Sequence, residues 1–269
     1  MVRVLPEGEA VCGVTLLAGE IYLLRPKRRD QVEVYDVGSY NLQRYLTVPD
    51  ARGYTDITSC EHFLCVYIGD HIVKCIHRLD VQGATTTTQW AVGNTPSGLS
   101  VNAACNVVVT CRFVRKIKEF SPDGDLLKEI ALPVDVINPF YTIQTRSGHF
   151  IVCHGDRDDQ VHRVCISLHG HQTDLTHGGQ RGSDTGHYSV PRHLAVDDNE
   201  FVFVADLDNR RVTLLSPTLE YVRQVVLPDQ LNWRPRRFYV DTQRKLCYVA
   251  DNEWKDGWYT AGRIVVFNV

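Results

Sequence analysis

The sequence has 269 residues, of which 43% are hydrophobic and 23% are charged, and its formal net charge at pH 7 is −3. A chain of this length can bury a large core, and its near-neutral charge gives no whole-chain argument for binding nucleic acid or a membrane surface. No apolar stretch approaches the roughly 18 residues that a membrane helix needs. If nucleic acid binds, the basic residues must therefore be gathered on one face.

Six copies of one β-rich repeat follow one another along the chain, and they begin near residues 11, 51, 95, 137, 191 and 233. Each copy holds about four short strands over roughly 40 residues, which is the size of one propeller blade. The inner strands are apolar runs, as expected of strands that are buried on both faces. No segment shows sustained helical periodicity. The pattern predicts an all-β fold, a closed six-bladed β-propeller with four-stranded blades that forms a single domain over residues 1–269.

The third and fifth copies show the repeat most clearly. Residues 96–101 (PSGLSV) match residues 191–196 (PRHLAV), and the same offset still aligns Leu132-Pro133 with Leu227-Pro228. A register that persists without a gap over this distance is the mark of homologous units rather than of similar composition.

The ends of the sequence predict how the ring closes. The sixth copy ends at residues 267–269 and is one strand short, while residues 1–8 precede the first copy and have no other partner. An unpaired edge would leave a row of unsatisfied backbone groups. We therefore expect residues 1–8 to form the outer strand of the last blade. A closed ring needs no second chain to cover its edges, so a monomer is expected.

The nine cysteines are odd in number, and most lie in apolar stretches such as residues 63–67. Cysteines in such surroundings usually behave as small buried hydrophobic residues. The first residues, 1–6, do not resemble a signal peptide. Together these features predict reduced thiols and a cytoplasmic location.

Residues 188–197 (YSVPRHLAVD) followed by 202–212 (VFVADLDNRRV) are similar to the NHL-repeat consensus. At blade resolution the whole chain resembles the NHL-repeat family, which includes the C-terminal propellers of TRIM-type ubiquitin ligases. That resemblance implies a non-catalytic domain that binds RNA or proteins, while other domains carry out catalysis. This sequence has no RING or B-box cysteine pattern, so a ligase role would require sequence outside it.

Two classes of propeller enzyme are remote alternatives. A resemblance to an amidating lyase would imply zinc-binding histidines after the proline that opens several blades, but Ser97, Arg192 and Arg236 stand there. Calcium-dependent lactonases need an oxygen cage with more ligands than Asp156, Asp158 and Asp159 supply from one loop. No catalytic residue is predicted, and the chain is expected not to be an enzyme.

Metal binding by the fourth copy is an open alternative. Its histidines are His154, His162, His169, His171, His177 and His187. Their spacings match no compact ligand motif, and a site needs three or four ligands that converge. Cys60, Cys65 and Cys75 are an equally weak zinc candidate. Neither a metal nor a cofactor is predicted.

One face of a propeller carries the loop between the second and third strands of each blade and the loop that leads to the next blade. Basic and aromatic residues are concentrated in these loops. The predicted binding residues are Arg25, Lys27, Arg28, Arg29, Arg112, Arg115, Tyr188, Arg192, Trp233, Arg234, Arg236 and Arg237. Arg210, Arg211 and Arg263 are expected instead to pair with turn acids such as Asp206, whereas residues 25–29 and 234–237 are expected to stay largely unpaired.

Two partner hypotheses follow. Arginines that contact phosphates, combined with aromatic rings that stack on bases, suit single-stranded or hairpin RNA. The same arginines could instead bind the acidic side chains of a protein or peptide, as a substrate-recognition domain of a ubiquitin ligase would. RNA is favoured because the NHL resemblance agrees with the distribution of charge. No membrane partner is expected.

Overall fold

The computed structural model describes residues 3–5, 7–82, 86–167 and 174–269. Within them the strands form six four-stranded antiparallel sheets, and the helical segments are two three-residue 3-10 turns, Arg112–Val114 and Pro228–Gln230. The first strand and the strands of blades one to three are β1 (Arg3–Val4), β2 (Gly13–Leu17), β3 (Glu20–Leu24), β4 (Gln31–Asp36), β5 (Leu42–Thr47), β6 (Tyr54–Cys60), β7 (Cys65–Asp70), β8 (Cys75–Asp80), β9 (Thr86–Ala91), β10 (Gly98–Val101), β11 (Val107–Cys111), β12 (Lys116–Phe120) and β13 (Leu126–Ala131). The strands of blades four to six are β14 (Pro139–Gln144), β15 (Phe150–His154), β16 (Val161–Ser167), β17 (Leu175–Gln180), β18 (Pro191–Val196), β19 (Val202–Asp206), β20 (Arg211–Leu215), β21 (Tyr221–Val226), β22 (Arg234–Asp241), β23 (Leu246–Lys255) and β24 (Trp258–Asn268).

The six sheets form a closed ring. The innermost strands are β2, β6, β10, β14, β18 and β22; each contacts the next, and β22 contacts β2. Strand β1 pairs with β24, where Arg3 lies opposite Val266, and the Leu5 amide donates a hydrogen bond to the Ile264 carbonyl at 2.9 Å. The predicted all-β six-bladed propeller is therefore confirmed, and so is its closure by the N-terminal strand. Residues 1, 2 and 6 of the predicted 1–8 strand lie outside the described residues.

Four of the innermost strands begin with a β-bulge. In blade five, for example, Pro191 lies opposite Asp206 and His193 opposite Ala205, so that Arg192 is an extra residue with no partner in the register. The extra residues of the four bulges are Thr55, Phe140, Arg192 and Arg236. A bulge re-aims the side chain of its extra residue. Equivalent positions of different blades therefore direct their side chains towards one mouth of the ring.

A buried ion pair crosses the centre of the ring just below this mouth. Arg237 of blade six places its Nε 2.9 Å from Asp56 Oδ1 of blade two, and Asp56 Oδ2 accepts a hydrogen bond from the Leu99 amide. Arg237 Nη2 also donates to the Ser97 carbonyl of blade three at 3.1 Å. Burial raises the pKa of the Asp56 carboxyl, and Arg237 opposes that rise. The pair and its hydrogen bonds link three blades across the centre of the ring.

Tyr141 adds another contact between blades at the centre of the ring, and Gly98 leaves space for its side chain. The Tyr141 hydroxyl donates a hydrogen bond to the Leu99 carbonyl at 2.6 Å, so the tyrosine side chain of blade four contacts blade three. A Cβ on Gly98 would lie 2.6 Å from Tyr141 Cδ2, closer than real Cβ contacts come. Glycine is therefore needed at this position because of close packing.

All nine cysteines are free thiols, and eight of them are buried. Burial raises the pKa of Cys12 to about 11 and that of Cys153 to about 12, which keeps both thiols protonated at neutral pH. In the part of the chain that the structure describes, no helix is long and apolar enough to cross a membrane.

Candidate functional site

A cavity of about 250 Å³ opens at the mouth to which the bulged residues point. Its wall combines Thr55, Phe140, Arg192 and Arg236 from the bulges with Ser97, which precedes β10. The remaining wall residues come from the loops of blades two and three and from the start of β6, and they include Tyr54, His71, Arg112 and Phe113. Arg237 forms its floor. We call this cavity the arginine pocket, after Arg112, Arg192, Arg236 and Arg237.

Two of the four arginines are neutralised. Arg237 is paired with Asp56, and Arg112 Nη2 contacts Asp156 Oδ2 while its Nε donates to Asn138 Oδ1 at 3.1 Å. These two guanidinium groups are held by their partners and contribute little net charge. They build the wall and the floor of the pocket.

Arg192 and Arg236 differ, since neither forms an ion pair with a carboxylate of the described residues. The Nε atom of each is buried and has no hydrogen-bond partner in that part of the chain. The guanidinium carbon of Arg192 lies 3.8 Å from the centre of the Phe140 ring, and that of Arg236 lies 4.5 Å from the centre of the Tyr259 ring. Aromatic faces hold both cations in place without neutralising them.

The surroundings of Arg192 and Arg236 disfavour the positive charge of both guanidinium groups. Burial and the neighbouring guanidinium groups of Arg237, Arg236 and Arg112 lower the pKa of Arg192 to about 9. Burial likewise lowers the pKa of Arg236. Both groups remain charged at neutral pH, so the pocket carries two uncompensated positive charges. Such an arrangement favours the binding of an anion, because an anion offsets the repulsion between the two guanidinium groups and supplies the hydrogen-bond acceptors that they lack.

Tyr54 belongs to the pocket wall and also packs in the core between blades one and two. Its hydroxyl is buried and has no partner among the described residues, and burial raises its pKa so that it keeps its proton. His71 Nδ1 lies 2.7 Å from the Gly53 carbonyl oxygen, which can only accept, so in the neutral ring Nδ1 carries the hydrogen. His71 Nε2 is then the ring nitrogen without a hydrogen and can accept a hydrogen bond. The pocket thus places His71 and Tyr54 beside its arginines.

Several predicted binding residues are held by carboxylates. Four of them form ion pairs: Arg25 and Arg28 with Glu33, Arg234 with Asp208, and Arg237 with Asp56. The expectation that residues 25–29 and 234–237 stay largely unpaired is therefore wrong for these four. For Arg25 at 5% exposure and Arg237 at 3% the physical reason is burial, because a buried charge without a partner is expensive. Arg28 is paired at the surface, where its side chain is 41% exposed.

The expected pairing of the turn arginines with turn acids is found for two of the three. Arg211 pairs with Asp206 at 2.8 Å and Arg263 with Asp251 at 3.0 Å, which confirms the expected neutralisation of turn acids. Arg210 is exposed and forms no ion pair with a carboxylate of the described residues, so that expectation is wrong for it. Arg210 lies in the turn before β20 with a φ of 53°, whereas Arg211 is the first residue of that strand, so only the folded chain shows which of the two faces Asp206.

The other predicted residues are divided between surface and core. Lys27, Arg29 and Arg115 are exposed on the face that carries the arginine pocket. Tyr188 is 1% exposed and packs in the core between blades four and five, so its place on the predicted binding surface is corrected. Trp233 is half-buried beneath Arg263, whose guanidinium carbon lies 5.5 Å from its ring centre.

The histidines of blade four serve the fold where they are described. His162 Nδ1 accepts a hydrogen bond from the Val190 amide at 3.0 Å, and its Nε2 lies 2.9 Å from the Asp159 carbonyl. His154 is buried, and His169 and His171 lie outside the described residues. Across residues 3–5, 7–82, 86–167 and 174–269, no three histidine, cysteine, aspartate or glutamate side chains converge as metal ligands.

Sequence reasoning missed His71, Phe113 and Phe140 as parts of one pocket. A signal for Phe140 was present, because it follows a blade-opening proline just as Arg192 and Arg236 do. Phe113 and His71 lie in loops between second and third strands, where the repeat carries no shared residue. Only the folded chain brings these loops to the same mouth.

No family model matches the sequence, and no curated protein matches it either. Solved structures do share its fold. A streptogramin B lyase has a TM-score of 0.66 at 12% identity, covering 97% of this chain and 83% of that chain. Hydrazine synthase of Kuenenia stuttgartiensis has a TM-score of 0.68 at 12% identity, covering 100% and 98%. The PQQ-bound aldose sugar dehydrogenase of Streptomyces coelicolor has a TM-score of 0.68 at 12% identity, covering 98% and 97%.

These similarities correct the expectation that the chain is not an enzyme. The solved propellers that resemble it include a lyase, a synthase and a dehydrogenase. Identities this low show the fold alone, and that fold does not exclude catalysis. The physical reason is that a propeller is specified by the packing of its strands, whereas its chemistry lies in mouth residues that vary freely. What stands from the NHL resemblance is the six-bladed propeller itself.

Proposed function

We propose that this propeller binds the phosphate group of a ligand in the arginine pocket. The observation that carries the proposal is the pair Arg192 and Arg236, whose charges have no carboxylate partner in the described chain and whose buried Nε atoms have no acceptor. A phosphate dianion supplies two negative charges and several acceptor oxygens in a volume that the cavity accommodates. Arginine is the residue best suited to such planar, charge-assisted contacts.

Thermal unfolding in inorganic phosphate tests this proposal. At constant ionic strength, phosphate at ten times its Kd should stabilise the chain by about 1.4 kcal/mol, which raises Tm by about 2–3 °C for a protein of this size. Sodium acetate, a monoanion, should produce a smaller shift. In the variant Arg192→Met with Arg236→Met, the phosphate shift should disappear.

Two controls accompany the experiment. Arg29→Met removes an exposed arginine from the same face and should leave the phosphate shift unchanged. Without phosphate, the double variant should unfold at or above the wild-type Tm, because the two charges it removes repel each other and have no partner. A phosphate shift that survives in the double variant would place the anion elsewhere and refute the proposal.

Single-stranded RNA is a second candidate, supported by Lys27 and Arg29. Both are exposed on the face of the arginine pocket and form no ion pair with a carboxylate of the described residues. If they contact RNA phosphates, binding of a labelled single-stranded oligonucleotide should weaken steeply with salt. Lys27→Gln with Arg29→Gln should then reduce the salt slope by about two. An unchanged slope, or no RNA binding at 50 mM salt, would eliminate this candidate.

A further inference from the structure

Beside the arginine pocket lies a strip of exposed apolar side chains, which we call the apolar shelf. It consists of Phe113, Val114, Val134 and Ile137, whose exposed fractions are 75%, 41%, 82% and 38%. These residues come from the loop between β11 and β12 and from the connection between β13 and β14. Exposed apolar side chains gathered in this way, with polar groups at their edge, are typical of a binding surface.

The shelf is continuous with the pocket. Phe113 lines the pocket itself, and the Arg112 guanidinium carbon lies 5.6 Å from the Phe113 ring centre and 4.3 Å from that of Phe140. Arg115 Nη1 donates to the Val134 carbonyl at 3.2 Å, which joins the two shelf segments. A ligand whose anionic group fills the pocket would therefore meet apolar surface immediately outside it.

The hairpin formed by β23 and β24 limits what can approach this mouth. These strands have 10 and 11 residues, whereas β19 and β20 of the neighbouring blade have five each, so the hairpin projects from the face that carries the pocket. It ends near Asp256 and Trp258, both of them exposed. A flat bilayer would meet this projecting hairpin and its carboxylate before the pocket, whereas a single extended peptide can pass beside it.

We infer that the phosphorylated ligand is a peptide segment of a partner protein, with a phosphoserine in the arginine pocket and an aliphatic side chain on the apolar shelf. This inference rests on the proposed phosphate-binding function. The two unpaired guanidinium groups match the charge of a phosphoserine dianion. The shelf supplies the apolar contact that distinguishes such a segment from free phosphate.

Calorimetric titration with two capped heptapeptides tests the inference. One has phosphoserine at its centre and a leucine two positions to either side, and the other has serine in place of both leucines. The leucine peptide should bind about tenfold more tightly, because burying one leucine side chain contributes that much. The variant Val114→Ser with Val134→Ser, which changes two shelf residues outside the pocket wall, should abolish this advantage while leaving the affinities for inorganic phosphate and for the serine peptide unchanged.

The matched control is Leu126→Ser with Leu127→Ser, which removes two apolar side chains that are 53% and 54% exposed on β13, outside the shelf. It should leave the leucine advantage intact. Equal affinity for the two peptides would overturn the inference and leave phosphate binding standing. Loss of every phosphate response would instead refute the proposed function. Shelf-dependent binding to phosphatidylcholine vesicles containing phosphatidic acid, without a leucine advantage, would identify a membrane ligand and also overturn the inference.

Discussion

Replacing Asp56 with alanine is expected to lower the free energy of unfolding by about 3–5 kcal/mol, the usual cost of removing one partner of a buried ion pair. The change leaves Arg237, which is 3% exposed, without the carboxylate that lies 2.9 Å from its Nε. It also removes the acceptor of the Leu99 amide. Urea denaturation at pH 7 measures the loss as a lower midpoint.

Two further variants show whether the loss comes from the uncompensated charge. Asp198→Ala breaks an ion pair of 2.6 Å between side chains that are 68% and 61% exposed, and should cost less than about 1 kcal/mol. Asp56→Leu with Arg237→Met removes both buried charges and should recover most of the stability, since apolar residues replace such pairs at little cost. If Asp56→Ala were as mild as Asp198→Ala, the ion pair would not be what joins the blades at the centre.

The second large effect is a loss of stability in acid that is specific to His154. Burial and the nearby Arg163 lower the pKa of this histidine from 6.5 to about 4, although Asp135 and Asp159 oppose the shift. Because the unfolded chain takes up the proton first, stability is lost as pH falls from about 6.5 towards 4. At pH 4.5 this single group should have removed about 2–3 kcal/mol relative to pH 8.

The comparison must be made between variants, because Asp206 acts in the opposite direction. Burial raises the pKa of Asp206 to about 6, so the folded state gains a proton before the unfolded chain does, and this group adds stability as pH falls. His154→Gln cannot titrate and should therefore lose about 2–3 kcal/mol less than the wild type between pH 8 and pH 4.5. Urea midpoints at the two pH values measure this difference. Parallel pH profiles for the two proteins would show that His154 is not held neutral in the fold.

Much of the architecture was predictable because a propeller repeats its local signals. The match between residues 96–101 and 191–196 fixes the phase of two blades, and the short final copy requires an extra strand from the other end of the chain. The pairing of Arg3 with Val266 meets that requirement. Such predictions succeed because apolar strand patterns and unpaired edges follow from the sequence itself.

The candidate site was only partly predictable. Arg192 and Arg236 were identified because both follow a blade-opening proline, and Arg112 because it follows a second strand. The sequence could not predict which arginines would be neutralised, because the partners are far apart along the chain. Arg237 pairs with Asp56 across 181 residues, and Arg112 pairs with Asp156 across 44. Pairing of this kind depends on distances between blades rather than on neighbours in the chain.

By itself, the sequence determined the repeat, the number of blades and the face to which the arginines go, because these depend on strand periodicity and on the order of the loops. The tertiary structure alone decided which arginines keep an uncompensated charge. Ring closure brings residues from different blades within hydrogen-bonding distance, and burial then makes each pairing, or its absence, energetically decisive. Among the residues that the structure describes, this geometry brings no carboxylate to Arg192 or Arg236, and the candidate phosphate site lies between them.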